Sequence, residues 1–238
     1  MNFAGLPIKP SGTNLWRTLT YGEEAVLLRH PDCAAVGPMV AALKALDDPR
    51  LGEIVPSYGS IMVMAGKGTG IQALGEALQK VLESNLLPIE TCGKTVRIPC
   101  CYEMGPDLED SAKVLGLSPD RLVTLHSESV YTVFAIGFQP GFPYCGWLPQ
   151  EISGMPRRNT PRLRVEPGSV GITERQTGIY PVASPGGWNL IGVTPCQLVD
   201  LEKEWFALKA GDRVQFVPIY EKEFQRLLKS PPESNPGR

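Results

Sequence analysis

The sequence predicts an α+β chain built of two unlike halves, and three observations carry that prediction. From Glu24 to Pro99 the apolar pattern alternates as strand, helix, strand, strand, helix, strand, which is the order of the split βαβ, or ferredoxin-like, arrangement. Beyond His126 the regular runs become short and β-like, with Gly/Pro turns between them, as in an all-β barrel or sandwich. Glycine, proline, arginine and aromatic residues are concentrated between Gly137 and Trp188, in the runs GFQPGFPYCGW, PRRNTPRLRV and GSVGITERQTGIYPVASPGGW. Glycine permits backbone conformations that other residues resist and proline stiffens them, so this composition builds shaped loops on a scaffold.

In order, the first dozen residues read as a flexible lead-in and EAVLLRH, from Glu24, as the first strand. Ala34–Leu46 has Val36, Met39, Val40 and Leu43 at helical spacing, and Asp47-Asp48-Pro49 stops it. Strands near Gly52–Pro56 and Ser60–Met64 follow. An amphipathic helix is expected from Gly70 to Leu86, with Ile71, Leu74, Leu78, Val81 and Leu82 on one face and Pro88 beyond its end. Thr95–Pro99 supplies the last strand of the series. The boundary is placed near residues 93–105, giving an N-terminal α/β domain over 1–92 and a β domain over 93–220. A short helix and a disordered, proline-rich tail are expected over 221–238.

In the second half, Asp107–Leu115 and Ser118–His126 read as helices, the latter with Ser118 as N-cap and Pro119 at its first position. Strands are expected at Tyr131–Ile136, Leu163–Val165, Ser169–Ile172, Gly178–Pro181, Asn189–Val193 and Arg213–Pro218, and a final helix at Glu221–Lys229.

A chain of 238 residues, 42% hydrophobic, can bury a sizeable core, and a net charge of −2 gives no electrostatic case for nucleic acid or an anionic membrane. The N-terminus shows no secretory pattern and no run reaches the roughly 20 apolar residues of a membrane span, so a cytoplasmic protein is expected. The six cysteines form neither CxxC nor a zinc spacing, and reduced thiols are the expectation.

Two glycine-lysine sites fail as phosphate loops. Gly66–Gly70 (GKGTG) and Gly93-Lys94-Thr95 have Ile61 and Pro88 where a phosphate-binding loop needs its first glycine. His30 and His126 are the only histidines, too few for a three-histidine zinc site. At a helix C-terminus, an imidazolium of His126 would be favoured by the helix dipole. Cys145 would need a base to act as a nucleophile.

The arginines at 157, 158, 162 and 164 are the candidate charged groups, because a guanidinium binds carboxylate or phosphate bidentately. If Leu163 starts a strand, Arg162 and Arg164 share a face. The alternative is a solvated surface, with salt bridges to Glu166 and Glu174. Glycines at 141, 168, 171, 178, 186 and 187 would offer backbone amides, or simply turns. Ser184-Pro185-Gly186-Gly187-Trp188 joins a hydroxyl, two unhindered positions and an aromatic wall. Gln176 and Thr177 suit neutral hydrogen bonds to an amide or carboxyl group. Tyr144, Trp147, Tyr180 and Trp188 read as core or pocket wall.

GFQPGFPY, PRRNTPRLRV, PGSVGI, QTGIYPVASPGGW and LIGVTP, in this order and spacing, resemble the 5-oxoprolinase B-subunit family, also described as allophanate hydrolase subunit 1 and KipI-type kinase inhibitors. The resemblance runs from Cys101 to Pro195, with GDRVQFVPI extending it. It implies a small α/β N-terminal domain, in keeping with the ferredoxin-like order above, and a cyclophilin-like β-barrel C-terminal domain. It also implies a partner related to allophanate hydrolase subunit 2, a third ring-hydrolysing subunit, and ATP-dependent opening of 5-oxo-L-proline to L-glutamate. ATP, with Mg, is then expected in a site shared with the partner, since this chain has no phosphate loop of its own. The implied substrate-binding set is Arg157, Arg162, Arg164, Gln176, Thr177, Tyr180, Ser184, Gly186, Gly187 and Trp188, with Pro140, Gly141, Phe142 and Tyr144 as the pocket loop. No catalytic residue or metal ligand is assigned. The alternatives are a KipI-type histidine-kinase inhibitor and a subunit of a related small-amide or allophanate hydrolase. The chain departs from the family pattern at Thr173-Glu174-Arg175, at Val193 in place of an arginine, and at Val199.

Overall fold

The structure, a computed structural model, describes residues 15–83 and 93–229. The expected lead-in, the end of the second helix near Pro88, Cys92 and the polar tail lie outside the described residues. The chain divides into two compact units, 1–92 and 93–238.

The first unit begins with β1 (Arg17–Tyr21), where no element was expected, paired antiparallel with β2 (Ala25–Arg29). A single helical turn whose start is capped by the Asp32 carboxylate leads into α1 (Val36–Ala45). Then come β3 (Leu51–Ser57), β4 (Ser60–Ala65) and α2 (Ile71–Glu83). The sheet order is β1-β2-β4-β3, antiparallel throughout. Strands β2, β4 and β3 are spaced as the expected split βαβ. The flanking fourth strand is the N-terminal β1, however, and not Thr95–Pro99. Alternation places Val26, Leu28, Ile61 and Val63 on one sheet face, against Leu74, Leu78 and Val81 of α2 and Leu43 of α1.

In the second unit, β5 (Thr95–Cys100) enters the chain's largest sheet. α3 (Leu108–Leu115) ends on Gly116, whose φ of +70° closes the helix. α4 (Pro119–Glu128) starts as expected, the Ser118 hydroxyl accepting the Arg121 amide at 3.2 Å. The strands that follow are β6 (Val130–Ile136), β7 (Pro143–Gly146), β8 (Arg162–Val165), β9 (Ser169–Thr173), β10 (Gln176–Ile179), β11 (Ser184–Gly186), β12 (Asn189–Val193), β13 (Val199–Asp200), β14 (Trp205–Phe206) and β15 (Arg213–Pro218), before α5 (Glu221–Leu228). All six strands expected in this half form. β7, β11, β13 and β14 were not foreseen, being short or rich in Gly and Pro.

Seven of these strands form one sheet in the order β12-β9-β10-β7-β6-β15-β5. β5 runs parallel to β15 over six residue pairs, from Thr95–Arg213 to Cys100–Pro218, which is why it cannot serve the first unit's sheet. The sheet nearly closes on itself. Just beyond β5, Cys101 donates its amide to the Val193 carbonyl at 2.8 Å, and Val193 donates to the Cys101 carbonyl at 3.0 Å. This joins the two sheet edges and leaves fewer unpaired backbone groups at the seam. The barrel is filled by Ile98, Tyr131, Val133, Val170, Ile172, Ile179, Ile191 and Phe216, with Leu122 of α4 packed among them.

His126 sits in this core, fully buried, not at a solvated helix end. Thr177 Oγ1 donates to the Gly171 carbonyl (3.1 Å) and therefore accepts from His126 Nε2 (2.9 Å). Nδ1 is then the acceptor for the Tyr102 hydroxyl at 2.7 Å. The Phe216 ring lies 4.5 Å from the imidazole, centroid to centroid. Burial lowers the His126 pKa from 6.5 to about 3, so the side chain is neutral, and the imidazolium expected from the helix dipole does not form.

Candidate functional site

The basic loop reaches across the second unit to a residue that the sequence did not single out. Asp107 stands at the start of α3 without capping it, and is 3% exposed. Its Oδ1 accepts from Arg158 Nη1 at 2.8 Å and from Arg162 Nη2 at 2.6 Å. Its Oδ2 accepts the Leu190 amide at 2.7 Å, while its own amide donates to the Leu190 carbonyl at 2.9 Å. The loop is further laid along the barrel by the Arg158 amide on the Gly187 carbonyl (2.8 Å) and Asn189 Nδ2 on the Pro156 carbonyl (2.7 Å).

One carboxylate thus faces two guanidinium groups, leaving a net positive charge. Arg158 Nε and Arg162 Nη1 are buried atoms with no hydrogen-bond partner. A buried donor left unpaired costs about 1–3 kcal/mol, more when charged, so these two nitrogens favour an anionic ligand.

Beside them stands an aromatic wall. Phe142 lies at its centre, its ring centroid 4.9 Å from Tyr144, 5.1 Å from Tyr180 and 5.4 Å from Trp188. Burial pushes the Tyr180 hydroxyl above its ordinary pKa, opposed by a hydrogen bond from the Trp188 amide and by the charges of Arg157 and Arg162. Burial does the same at Tyr144, opposed by Arg157. Both phenols therefore stay protonated and remain donors, and Arg157, itself exposed, lies near both. Two glycines make this packing possible. A Cβ on Gly178 would stand 2.9 Å from Phe142 Cζ, and one on Gly186 would stand 2.5 Å from Tyr180 Oη.

The pocket loop turns back on itself through the Phe142 amide on the Gln139 carbonyl (3.1 Å), with Pro140 exposed and Gly141 buried at φ +78°. Phe138, which was not foreseen, holds φ at +67° and is 61% exposed, its ring edge-on to Phe142 at 5.6 Å. A non-glycine residue with positive φ is uncommon and concentrates at functional sites.

Several expected site residues lie elsewhere. Arg164 does not converge with Arg162. It pairs with Glu166 at 2.7 Å, both side chains about two-thirds exposed, and holds that carboxyl below its usual range. Arg164→Ala is expected to leave the thermal midpoint and ligand affinity unchanged, as calorimetry and titration would show, because solvent screens an exposed pair. Thr177 is spent inside the barrel on His126. Gln176, half-buried, opposes Gly146 and Thr173 on neighbouring strands. Ser184 bonds the Pro185 carbonyl, and Gly187 lies against Pro161. The Arg175 guanidinium sits 4.6 Å above the Trp147 ring, so the Thr173-Glu174-Arg175 departure forms a cation–π contact at the β9–β10 turn.

Cys145 is buried and its thiol is pushed well up, which removes it as a nucleophile. Among the described residues no group of three or more His, Cys, Asp or Glu side chains could hold a metal, and no helix is long and apolar enough to cross a membrane. The arrangement sets two guanidinium groups with unpaired donors beside aromatic rings. The missed partner, Asp107, had one sequence signal: a carboxylate at the start of a helix, in Gly105-Pro106-Asp107.

Comparison with known proteins agrees with this architecture. The carboxyltransferase domain, subdomain C and D, matches residues 16–208. The 5-oxoprolinase B subunit of Haemophilus influenzae is 51% identical over 168 residues, covering 69% of this chain and 78% of that protein. The crystal structure of TTHA0988 superposes with a TM-score of 0.71 at 33% identity. It covers 83% of this chain, which spans only 40% of the TTHA0988 chain. The urea carboxylase of Kluyveromyces lactis, 16% identical, shares the fold, with a TM-score of 0.69 over 96% of this chain and 24% of its own. On the matched domain and the identity over most of its length, the chain belongs to the 5-oxoprolinase B-subunit family, within the carboxyltransferase C and D subdomain fold.

Proposed function

We propose that this chain is one subunit of a cytoplasmic, ATP-dependent 5-oxoprolinase and that it holds the carboxylate of 5-oxo-L-proline. The observation that carries the reading is the pair of orphaned donors, Arg158 Nε and Arg162 Nη1, beside the protonated phenols of Tyr144 and Tyr180. 5-Oxoproline is a small ring bearing one carboxylate and one neutral amide. The arginines suit the first, and the phenol donors and the aromatic wall suit the second. We read the barrel as cyclophilin-like and the first unit as a ferredoxin-like variant with its fourth strand taken from the N-terminal side.

ATP does not fit the glycine-lysine turns of this chain. Ile61 and Pro88 stand where a phosphate loop needs its first glycine, and the Gly66 amide is spent on the Arg50 carbonyl at 2.8 Å. Nucleotide, and the Mg that accompanies it, are assigned to a site completed by a partner related to allophanate hydrolase subunit 2, with ring hydrolysis on a third subunit. This chain binds, orients and shields the lactam.

The test is glutamate release from 5-oxo-L-proline and ATP by the chain reconstituted with its partner subunits, against a complex known to be active. Absence of turnover in the assembled complex overturns the reading. Arg162→Lys keeps a positive charge for Asp107 but removes the Nη1 donor. It is expected to raise KM for 5-oxoproline roughly tenfold to a hundredfold, the equivalent of about 1.5–3 kcal/mol of charged hydrogen bonding, with the circular dichroism unchanged. Alanine at this position is the poorer probe, because it also unpairs a buried carboxylate.

A further inference from the structure

The loop before β7 presents an aromatic ring to solvent that the arginine site does not account for. Phe138 is 61% exposed and its φ is +67°. Among the described residues, the other non-glycine positions with positive φ are Asp47, Glu174 and Glu204, so Phe138 is the only apolar one. For a bulky side chain that conformation is an outlier. Glycine stands at 137 and 141 in the same loop, and a glycine at 138 would relax the backbone. Local strain of this kind persists where the surrounding structure holds the residue in place.

Here the loop is held from several directions. The Gly137 amide donates to the Phe142 carbonyl at 3.1 Å and the Phe142 amide to the Gln139 carbonyl at 3.1 Å, which closes the turn. Gln139 Nε2 donates to the Val182 carbonyl at 3.4 Å. Gly141 packs so closely on β13 that a Cβ would stand 3.2 Å from the Cβ of Val199. The rings of Phe142 and Tyr180 lie nearly perpendicular to that of Phe138, with centroids at 5.6 Å and 6.5 Å. Both are buried, so Phe138 is the ring of the three that solvent reaches. Tyr180 links it to the arginines. Its hydroxyl lies against Gly186, where a Cβ would stand 2.5 Å away, and Gly186 is the cross-strand partner of Arg162.

We propose that Phe138 is a specificity-determining residue of this site: its exposed ring packs on a small ring carried by the carboxylate that Arg158 and Arg162 hold. It rests on the carboxylate-binding reading of those arginines and adds the class of ligand, a cyclic carboxylate in preference to an open-chain one. An aromatic surface already fixed by its neighbours loses little conformational freedom on binding. A compact ring covers that surface, whereas a second charged group would have to be desolvated against it. Substrate and product then differ at this contact. 5-Oxo-L-proline presents a closed ring. L-Glutamate is an open chain with an ammonium and a second carboxylate, so ring opening removes the contact and leaves the product to the arginines.

NMR titration of the isotope-labelled full chain, which reads affinities into the millimolar range, tests this with 5-oxo-L-proline, cyclopentanecarboxylate and acetate. Both cyclic carboxylates are expected to bind at least roughly tenfold more tightly than acetate, or about 1.4 kcal/mol. Phe138→Asn, whose side chain tolerates a positive φ, is expected to cancel that preference and leave the acetate affinity unchanged. Phe138→Tyr keeps a ring and is expected to retain the preference. Amide shifts outside the loop that match the wild type show that each variant is folded. A wild type that binds the cyclic anions no better than acetate, or cyclic anions that bind Phe138→Asn as tightly as the wild type, overturns the proposal and leaves the arginine reading standing. Phe138-dependent binding of cyclopentanecarboxylate with none of 5-oxo-L-proline supports the ring contact and overturns 5-oxoproline as the substrate. No binding of any of the three anions overturns both.

Discussion

Asp107→Ala is expected to lower the unfolding free energy of the second unit by about 3 kcal/mol, one of the two largest single-site effects anticipated in this chain. The carboxylate is buried and has three donors on it, from Arg158, Arg162 and the Leu190 amide. Breaking a buried ion pair by removing one partner costs about 3–5 kcal/mol, because the other charge is left uncompensated. The lower end applies here, since the Arg158 and Arg162 side chains are 36% and 24% exposed and water screens part of the loss. The thermal midpoint should fall by roughly 6–12 °C. Asp107→Asn retains an acceptor for Leu190 and should fall between alanine and wild type. The same substitutions free the arginine loop from β12, so binding of the proposed substrate, 5-oxoproline, should weaken in parallel with stability. Urea unfolding and calorimetry on the full chain measure the first effect. A midpoint for Asp107→Ala equal to the wild type would mean that the arginines do not depend on this carboxylate.

The other large effect depends on pH and comes from His126. Its folded pKa, about 3, lies below its ordinary 6.5 because burial disfavours the imidazolium. Below pH 6.5 the unfolded chain takes up a proton that the folded chain refuses. The stability associated with the neutral ring is therefore complete above about pH 6.5 and is lost as pH falls towards 3. The slope approaches about 1.4 kcal/mol per pH unit, so roughly 2 kcal/mol should go between pH 6.5 and 5, where most carboxylates are still ionised. His126→Phe keeps a ring beside Phe216 and removes the titration, so it should flatten this limb. It should also lower stability at neutral pH, because the Tyr102 hydroxyl loses its acceptor. Chemical unfolding of both proteins from pH 7.5 to 5 checks it. A limb of equal slope in His126→Phe would assign the proton to another group.

Much of the fold was legible because it is local. Period-3.6 apolar spacing marked α1 and α2, and Ser118-Pro119 marked the start of α4 through a capping bond made within three residues. Alternation marked the longer barrel strands. The errors lie where local pattern is silent. Thr95–Cys100 is a strand by pattern, but its partner β15 begins at Arg213, far along the chain, and only barrel closure selects that pairing. β1 escaped because RTLTY is mostly exposed at a sheet edge and lacks a buried alternation. The site divides in the same way. The density of Gly, Pro, Arg and aromatic residues from Gly137 to Trp188 located the loops and the Phe142–Tyr144–Tyr180–Trp188 wall. It did not distinguish Arg158 and Arg162, which meet Asp107, from Arg164, which meets only Glu166 two residues away.

The sequence by itself determined the element types, most of their limits and the family resemblance. Each of these rests on spacing and composition within a short window. The tertiary structure alone decided which charges are compensated. Asp107 lies 51 and 55 residues from its arginines, and Thr177 lies 51 from His126. A charge or polar group acquires its state from the partners and the burial around it, and folding sets both over distances that no local pattern spans.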